Sequence, residues 1–421
     1  MKSLADIAAQ LQGYDPKALP ADAVNEFLSR LVEPVRETEE VSVFHALGRV
    51  LARDIVSPVS VPPHDNSAMD GFAFRGDELK AGAKVTLQVV GTALAGKAWQ
   101  GDVGAGQCVK IMTGAVMPAG LDTVVPQEFT EAEADGVSFA GDSVRSGDNR
   151  RTKGEDLMQG QPALGAGTRI GPAACGLVAS IGVAKVPVYR KLRVAYFSTG
   201  DEILSLGEAS REGAVYDSNR YTVHAMLQCL GCDVIDMGVV RDDPAQLEEA
   251  FRSAAMNADA IITSGGVSVG EADYTKAMMA KLGDVAFWRI AMRPGRPMAV
   301  GHIGSSLLFG LPGNPVAVMV TFLAFVRPAL LKAMGAAKAA QPYLKARSAE
   351  PIRKKPGRTE YQRGVVTPTA DGKLEVRITG NQGSGVLSSM VHANGLIVLH
   401  HAQGSVAAGD EVDVLMFDGA F

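Results

Sequence analysis

From Lys191 to Gly335 the chain repeats one rhythm: an apolar run, a polar loop, then an amphipathic segment. "LRVAYFS" reads as a continuous buried strand, and "DSNRYTVHAMLQCLG" as a helix opened by Asp217 or Ser218 and stopped by Gly231. "CDVIDMGVV" is a second strand, "PAQLEEAFRSAAMN" a helix with Pro244 at its first position, and "ADAIITSGG" a third strand. This alternation calls for a mostly parallel sheet with helices on both faces. Such sheets bind ligands beyond the carboxyl ends of their strands. Each polar cluster here falls at such an end: "STGDE" (198–202), "VRDD" (240–243) and "SGGVSVGEADY" (264–274).

A chain of 421 residues is too long for one core. Residues 1–50 and 151–190 are expected to form one discontinuous, elongated N-terminal domain. It would hold a helix at "ADAVNEFLSRLV", a second amphipathic segment at "SVFHALGRVLARDI" and a helix at "GPAACGLVASIG". Residues 51–150 are dense in Gly and Pro, with Val-rich runs such as "KVTLQVVGTAL" and "QCVKIMTGAVMP", and read as a small inserted β domain. The α/β domain spans 191–335. From 340 to 421 strands alternate with turn signals such as "ADGK", which predicts a separate small β barrel or sandwich.

Bulk properties narrow the function classes. Net charge -5 and a pI near 5.9 argue against a broad nucleic-acid surface. The N-terminus lacks the apolar core of a signal peptide. The longest apolar stretch, "VAVMVTFLAFV" (Val316 to Val326), is about half of what a bilayer needs and reads as a buried core helix. Four cysteines are too sparse for a disulfide scaffold and fit a reducing cytoplasm. Cys229 and Cys232 read as thiols beside the turn at Gly231, since no second pair or spaced histidines accompany them.

The loop carrying Ser264, Gly265, Gly266, Ser268 and Gly270 matches neither nucleotide fingerprint. Its N–H groups suit an anion nest; equally, it is a tight strand-to-helix turn whose Glu271 and Asp273 cap the next helix. In "LPGNPVAV", Pro312 and Gly313 turn the chain, Asn314 is an N-cap and Pro315 the first helical residue. That helix start offers N–H donors to an anion while also being a well-capped core helix. Together the two starts point to a ligand with phosphates. Glu202, Asp242 and Asp273 would project from neighbouring strand ends, where carboxylates beside phosphates hold Mg²⁺. Arg289, Arg293 and Arg296 of "FWRIAMRPGRPMAV" suit an oxyanion, or are ordinary surface arginines. "PPHDNSAMDGFAFRG" holds two aspartates five apart; Asp65, Asn66 and Ser67 are a structured functional loop or an Asx-turn. No Ser-His-Asp or Cys-His arrangement is evident, and His64 reads as a turn residue.

"DNSAMDGFA", "IMTGA", "KGED", "STGDE", "TSGGVSVGEADYTK", "RPGRP" and "LPGNPVAV" occur in an order that resembles the MoeA-type molybdopterin molybdenumtransferases, the family of the gephyrin E domain. The likeness runs from about residue 20 to the end, and the middle domain resembles the MogA/MoaB fold. It implies an α/β multidomain fold: a doubly wound MogA/MoaB-like sheet domain, a helical/linker domain, a small inserted β domain and a C-terminal β barrel. It also implies that the protein takes adenylylated molybdopterin and molybdate, cleaves the pyrophosphate linkage with Mg²⁺ help, inserts molybdenum and releases AMP. Family members are homodimers with the site between the sheet domain of one subunit and the small β domain of the other. By motif, Asp65, Thr113 and Asp156 would complete the site from the partner side. Glu202, Asp242 and Asp273 match the family's acids, and contact with a MogA-type adenylyltransferase and with cofactor-accepting proteins is expected. Net charge and the short apolar runs lead to the expectation of no nucleic-acid and no membrane partner. The family commonly has lysines where this chain has Arg289, Arg293 and Arg296, so oxyanion affinity is expected to differ. Rival readings are an adenylyltransferase, a general pyrophosphate hydrolase, and a scaffold without chemistry.

Overall fold

The computed structural model describes residues 3–11, 13–267, 274–338 and 340–419. Two helices lead, α1 (Leu4–Ala9) and α2 (Ala21–Leu31). In α2 the residues Val24, Phe27, Leu28 and Leu31 form one buried stripe at helical spacing. Phe27 meets Trp288 edge-on, ring centroids 4.9 Å apart, and Trp288 Nε1 donates to Tyr14 Oη at 2.8 Å. The N–H groups of Arg289 and Ala291 donate to Pro16 O and Leu19 O, each at 2.8 Å. Residues 4–32 therefore share a core with the sheet unit, whereas chain order suggested a core with 151–190. An amphipathic stripe buries where a complementary apolar face is open, and chain proximity does not choose that face.

Residues 38–57 and 157–189 make a smaller lobe. Strand Thr38–Ser42 runs antiparallel to Lys185–Tyr189, and Ile55–Val56 pairs with Pro162–Leu164. Helix α3 (Pro172–Ser180) covers a core that includes Ala46, Leu51, Ile170, Val178 and Val188. The amphipathic segment "SVFHALGRVLARDI" is not a helix. It is the end of a strand, a single 3₁₀ turn at Val43–His45 and a bridge of Leu51 to Val188. Gly48 at φ +76° breaks helical spacing, and the β-branched residues are drawn to the neighbouring strand. The chain leaves this lobe and returns side by side, with Val61 bridged to Leu157 and Asn66–Ser67 paired to Arg150–Arg151. Between those pairs lies a six-stranded mixed sheet. Both of its faces are buried: Ala73, Val109 and Val124 on one, Phe74, Cys108 and Val125 on the other.

The sheet unit follows as β1 (Arg193–Thr199), α4 (Ser218–Leu230), β2 (Asp233–Val240), α5 (Pro244–Asn257), β3 (Ala260–Ser264), α6 (Tyr274–Leu282), β4 (Gly283–Arg289), β5 (Pro297–Ile303) and β6 (Ser306–Leu311). Its strand order is β2-β1-β3-β6-β5-β4. The first four strands are parallel, and β5 runs antiparallel to both of its neighbours, β6 and β4. Along β1, Val194 and Tyr196 enter the core shared with α2 and α4, while Ala195 and Phe197 enter the opposite one. There Phe197 packs on Phe251 of α5 at 5.1 Å. Helices thus cover both faces, as the alternation required.

After β6 come α7 (Pro315–Thr321), a π-helical turn at Phe322–Val326 and α8 (Arg327–Ala333). Pro328 has no N–H to give to the preceding turn, which accounts for the wider coil there. Among the described residues this 19-residue run is the one helix long and apolar enough to cross a membrane, but 78% of its most apolar window is buried inside the protein. It is a core helix.

The C-terminal strands β7 (Leu344–Ser348), β8 (Thr359–Pro368), β9 (Leu374–Ile378), β10 (Gly395–Leu399) and β11 (Glu411–Met416) close into a barrel in the order β8-β9-β7-β11-β10, with β10 returning to β8. Met292–Arg293 of the sheet unit adds alongside Thr359–Glu360 as a short parallel strand. That pairing brings the barrel to the sheet's carboxyl end. All four cysteines are free, and burial pushes the Cys232 thiol up to about 12.

Candidate functional site at the carboxyl ends of the strands

A cleft of about 1060 Å³ lies beyond β1, β3 and β6, walled by the turns that follow them and by the barrel. Gly265 and Gly266 stand at φ +91° and +62°, where side chains are strained. A Cβ at Gly265 would fall 2.5 Å from Thr199 O, and one at Gly266 would fall 2.4 Å from Thr275 Cβ. Glycine is thus required twice for the turns to approach. Gly265 N–H donates to Leu311 O at 3.2 Å, so this donor is already used. The Ser264 hydroxyl is bound into the floor, 2.7 Å from Tyr196 Oη, which also meets Ser198 Oγ at 2.9 Å. Burial holds the Tyr196 phenol above its ordinary range, so it stays protonated.

Of the three acids, Glu202 lines the cleft. Its carboxylate folds over Gly200, where an added Cβ would lie 2.6 Å from Oε2. Asp242 follows β2 with its N–H 3.4 Å from Asp201 Oδ1, outside the cleft lining. Asp273, Ser268 and Gly270 lie outside the described residues. Arg293 and Arg296 line the cleft, while Arg289, at the exposed end of β4, does not. Its backbone is held to Pro16, before the Pro-Gly turn swings the chain inward.

The start of α7 differs from the sequence expectation of free donors. Val316 N–H donates to Ser384 O at 3.1 Å, and Asn314 Nδ2 donates to Ser384 Oγ at 3.0 Å. A barrel loop therefore takes up the helix start, while Pro312, Gly313, Asn314 and Pro315 still line the cleft. Beneath that loop Arg363 is 1% exposed and donates from Nη2 to Gly383 O at 3.0 Å and from Nε to Ser389 Oγ at 3.0 Å. Burial, with Arg293 nearby, pushes its guanidinium down to about 10. Arg358 also faces the cleft, and a basic side cavity of about 530 Å³, lined by Arg353 and Lys355 among others, joins it through Arg293. Sequence reasoning missed this barrel wall. The basic run "RKKPGR" and the small-residue loop "QGSG" were its only signals.

Asp65, Thr113 and Asp156 belong to the inserted unit and its exit, and none lines this cleft. Asp65 Oδ1 accepts the Lys153 N–H at 2.8 Å, and Arg150 stands 3.7 Å from Oδ2. Thr113 donates from N–H and Oγ1 to Asp70 Oδ1 at 2.7 and 2.8 Å. The backbone bond from Thr113, then its hydroxyl, hold the Asp70 carboxyl below its usual range. Asp156 N–H donates to Val61 O at 3.1 Å, beside the same entry point. The molecule thus carries a second polar cluster on another lobe. Asp70 was legible only as the second of two spaced aspartates.

The chain matches three family models in sequence: MoeA N-terminal region (domain I and II) over residues 19–182, probable molybdopterin binding domain over 195–332, and MoeA C-terminal region (domain IV) over 345–417. It is 41% identical over 397 residues to the molybdopterin molybdenumtransferase of Haemophilus influenzae, covering 94% of this chain and 98% of that one. The Nostoc sp. protein of the same name is 36% identical, covering 96% of this chain and 95% of that one. Among solved structures, the molybdopterin biosynthesis moeA protein from Pyrococcus horikoshii OT3 superposes with a TM-score of 0.82 at 27% identity, covering 95% of this chain and all of that one.

Proposed function

The chain belongs to the MoeA family of molybdopterin molybdenumtransferases, and from that membership we propose that it joins molybdate to adenylylated molybdopterin with release of AMP. One observation carries the reading: a single cleft gathers Glu202, Arg293 and Arg296, the groups a metal-assisted pyrophosphate cleavage and a tetrahedral oxyanion require together. Arg293 and Arg296 bind molybdate by charge-assisted hydrogen bonds, with Arg358 on the same cleft lining. Water adds across the phosphoanhydride and AMP leaves. The two dithiolene thiols then replace one oxygen of molybdate, which departs as water with their protons.

Mg²⁺ takes one or two carboxylates and fills its remaining positions with phosphate oxygens and water. Glu202 fits that donor set and would hold the ion in the cleft. An ion held there by Glu202 would supply positive charge to the phosphoryl oxygens. Arg296 and Arg293 orient the oxyanion.

The cluster at Asp65, Thr113 and Asp156 reaches chemistry only if a second copy supplies it, so we read the protein as a homodimer with shared sites. Phe44, 97% exposed, and Leu47, 62% exposed, mark an apolar patch with Ala179 and Val183 that suits such an interface. The four free thiols fit a cytoplasmic setting. A MogA-type adenylyltransferase upstream and cofactor-accepting proteins downstream follow from the same reading.

The test is AMP release from adenylylated molybdopterin with Mg²⁺, with and without molybdate, scored also by reconstitution of an apo-molybdoenzyme. Molybdate-dependent release with active cofactor is expected. No release with molybdate or tungstate would leave a binding or scaffold protein.

A further inference from the structure

Two deeply buried acceptors in the cleft wall have no partner. Asp217, 3% exposed, caps α4 by taking the Arg220 N–H on Oδ1 at 3.0 Å, and its Oδ2 is unpaired. Asn219 is 8% exposed; its Nδ2 donates to Gly313 O at 2.7 Å, which fixes the amide orientation and leaves Oδ1 an unpaired acceptor. Both residues line the cleft, as does Tyr216, whose half-exposed ring is tethered through Oη to Glu208 O at 2.9 Å. Buried acceptors of this kind call for a donor from a bound molecule, whether a ligand or an ordered water that a ligand displaces.

An aromatic residue and two unpaired acceptors within four residues of one another on the same cleft lining select among heteroaromatic rings. Adenine presents one amino group flanked by ring-nitrogen acceptors, so both oxygens would have to share that group. An amino-pyrimidinone edge presents adjacent N–H and NH₂ donors, which satisfy both. We propose that Asp217 and Asn219 read the amino-pyrimidinone edge of the pterin, with Tyr216 against the ring face; this rests on the substrate reading above and assigns the pterin end of that substrate to the α4 wall. A bound divalent cation is the competing occupant, and it would make no use of Tyr216.

Full-length protein is titrated with pterin and with lumazine, in which oxygen replaces the 2-amino group, and turnover of adenylylated molybdopterin is followed in parallel. Wild type is expected to favour pterin by about tenfold, the worth of one hydrogen bond to a charged group. Asp217→Asn keeps a helix cap but replaces the free acceptor by a donor. It is expected to lose that preference and to raise KM for the substrate about tenfold with kcat little changed. Asn219→Ala, the second variant should the first melt early, is expected to weaken pterin binding as well. Equal binding of pterin and lumazine to wild type, or an unchanged preference in both variants, would overturn the assignment while normal turnover kept the function. A variant that shifts only the Mg²⁺ dependence makes this a cation site and overturns it too. Pterin preference that depends on Asp217, without turnover of the substrate, would uphold the assignment and sink the substrate reading.

Discussion

Arg293 and Arg296 sit where the resemblance leads one to expect lysine, and the structure puts both guanidinium groups on the cleft. A planar fork gives paired donors that an ammonium cannot reproduce. Arg296→Lys should therefore raise KM for molybdate about tenfold, the loss of one charge-assisted hydrogen bond, measured by molybdate titration of AMP release. Arg289→Lys should leave that KM unchanged, since its side chain lies outside the lining. Asp70 gives a pH signature. Its carboxyl is held low by Thr113, so its contribution to stability is complete above the ordinary carboxylate range and is lost as pH falls through its lowered value. Thr113→Val should raise the Asp70 titration midpoint toward the ordinary value, read by NMR, and lessen the loss of stability on acidification. The arginines were legible as a charged run in a rigid turn. Asp70's partner was not, because 43 residues separate it from Thr113.

Among the elements, the strand-helix units of the sheet were legible because local rules and burial agree. Asp243 accepts the N–H groups of Ala245 and Gln246 at 3.1 and 2.9 Å, and Pro244 follows at the first position. Asp243→Ala should cost about 1 kcal/mol in denaturant unfolding, whereas Phe251→Ala on the buried face of α5 should cost about 3–5 kcal/mol. Packing outweighs capping in holding this helix. Where local rules and burial part company, the sequence reading failed. "SVFHALGRVLARDI" has helical spacing but lies beside a strand that claims its backbone, and at the start of α7 the Asn314 side chain makes no capping bond, because a distant loop takes both its amide and the Val316 N–H. Neither partner is visible in a window of a dozen residues.

At the scale of the whole molecule, the shared-site reading makes a demand that a monomer cannot meet. Asp65→Asn and Glu202→Gln should each be inactive alone. Mixed and reassembled, they should recover about a quarter of wild-type activity, since half the dimers pair one of each and carry one intact site of two. No recovery, with mixed dimers isolated through two different affinity tags, would place both residues in one chain's site or neither. Phe44→Asp with Leu47→Asp should shift sedimentation toward 44.0 kDa and abolish turnover. The sequence by itself determined the alternating sheet unit, its capped helices, the strand ends that carry polar residues and the all-β character of the C-terminal segment, because each rests on periodicities of two or 3.6 residues. It also carried the family, through motifs whose spacing survives without coordinates. Only the tertiary structure decided that α2 buries against Trp288, that Met292–Arg293 draws the barrel onto the cleft, that Arg358 and Ser384 belong to its wall, and that Asp217 and Asn219 keep acceptors unpaired there. Those are contacts between segments tens to hundreds of residues apart. They follow from which apolar faces remain uncovered once the elements have formed, and no local pattern records that.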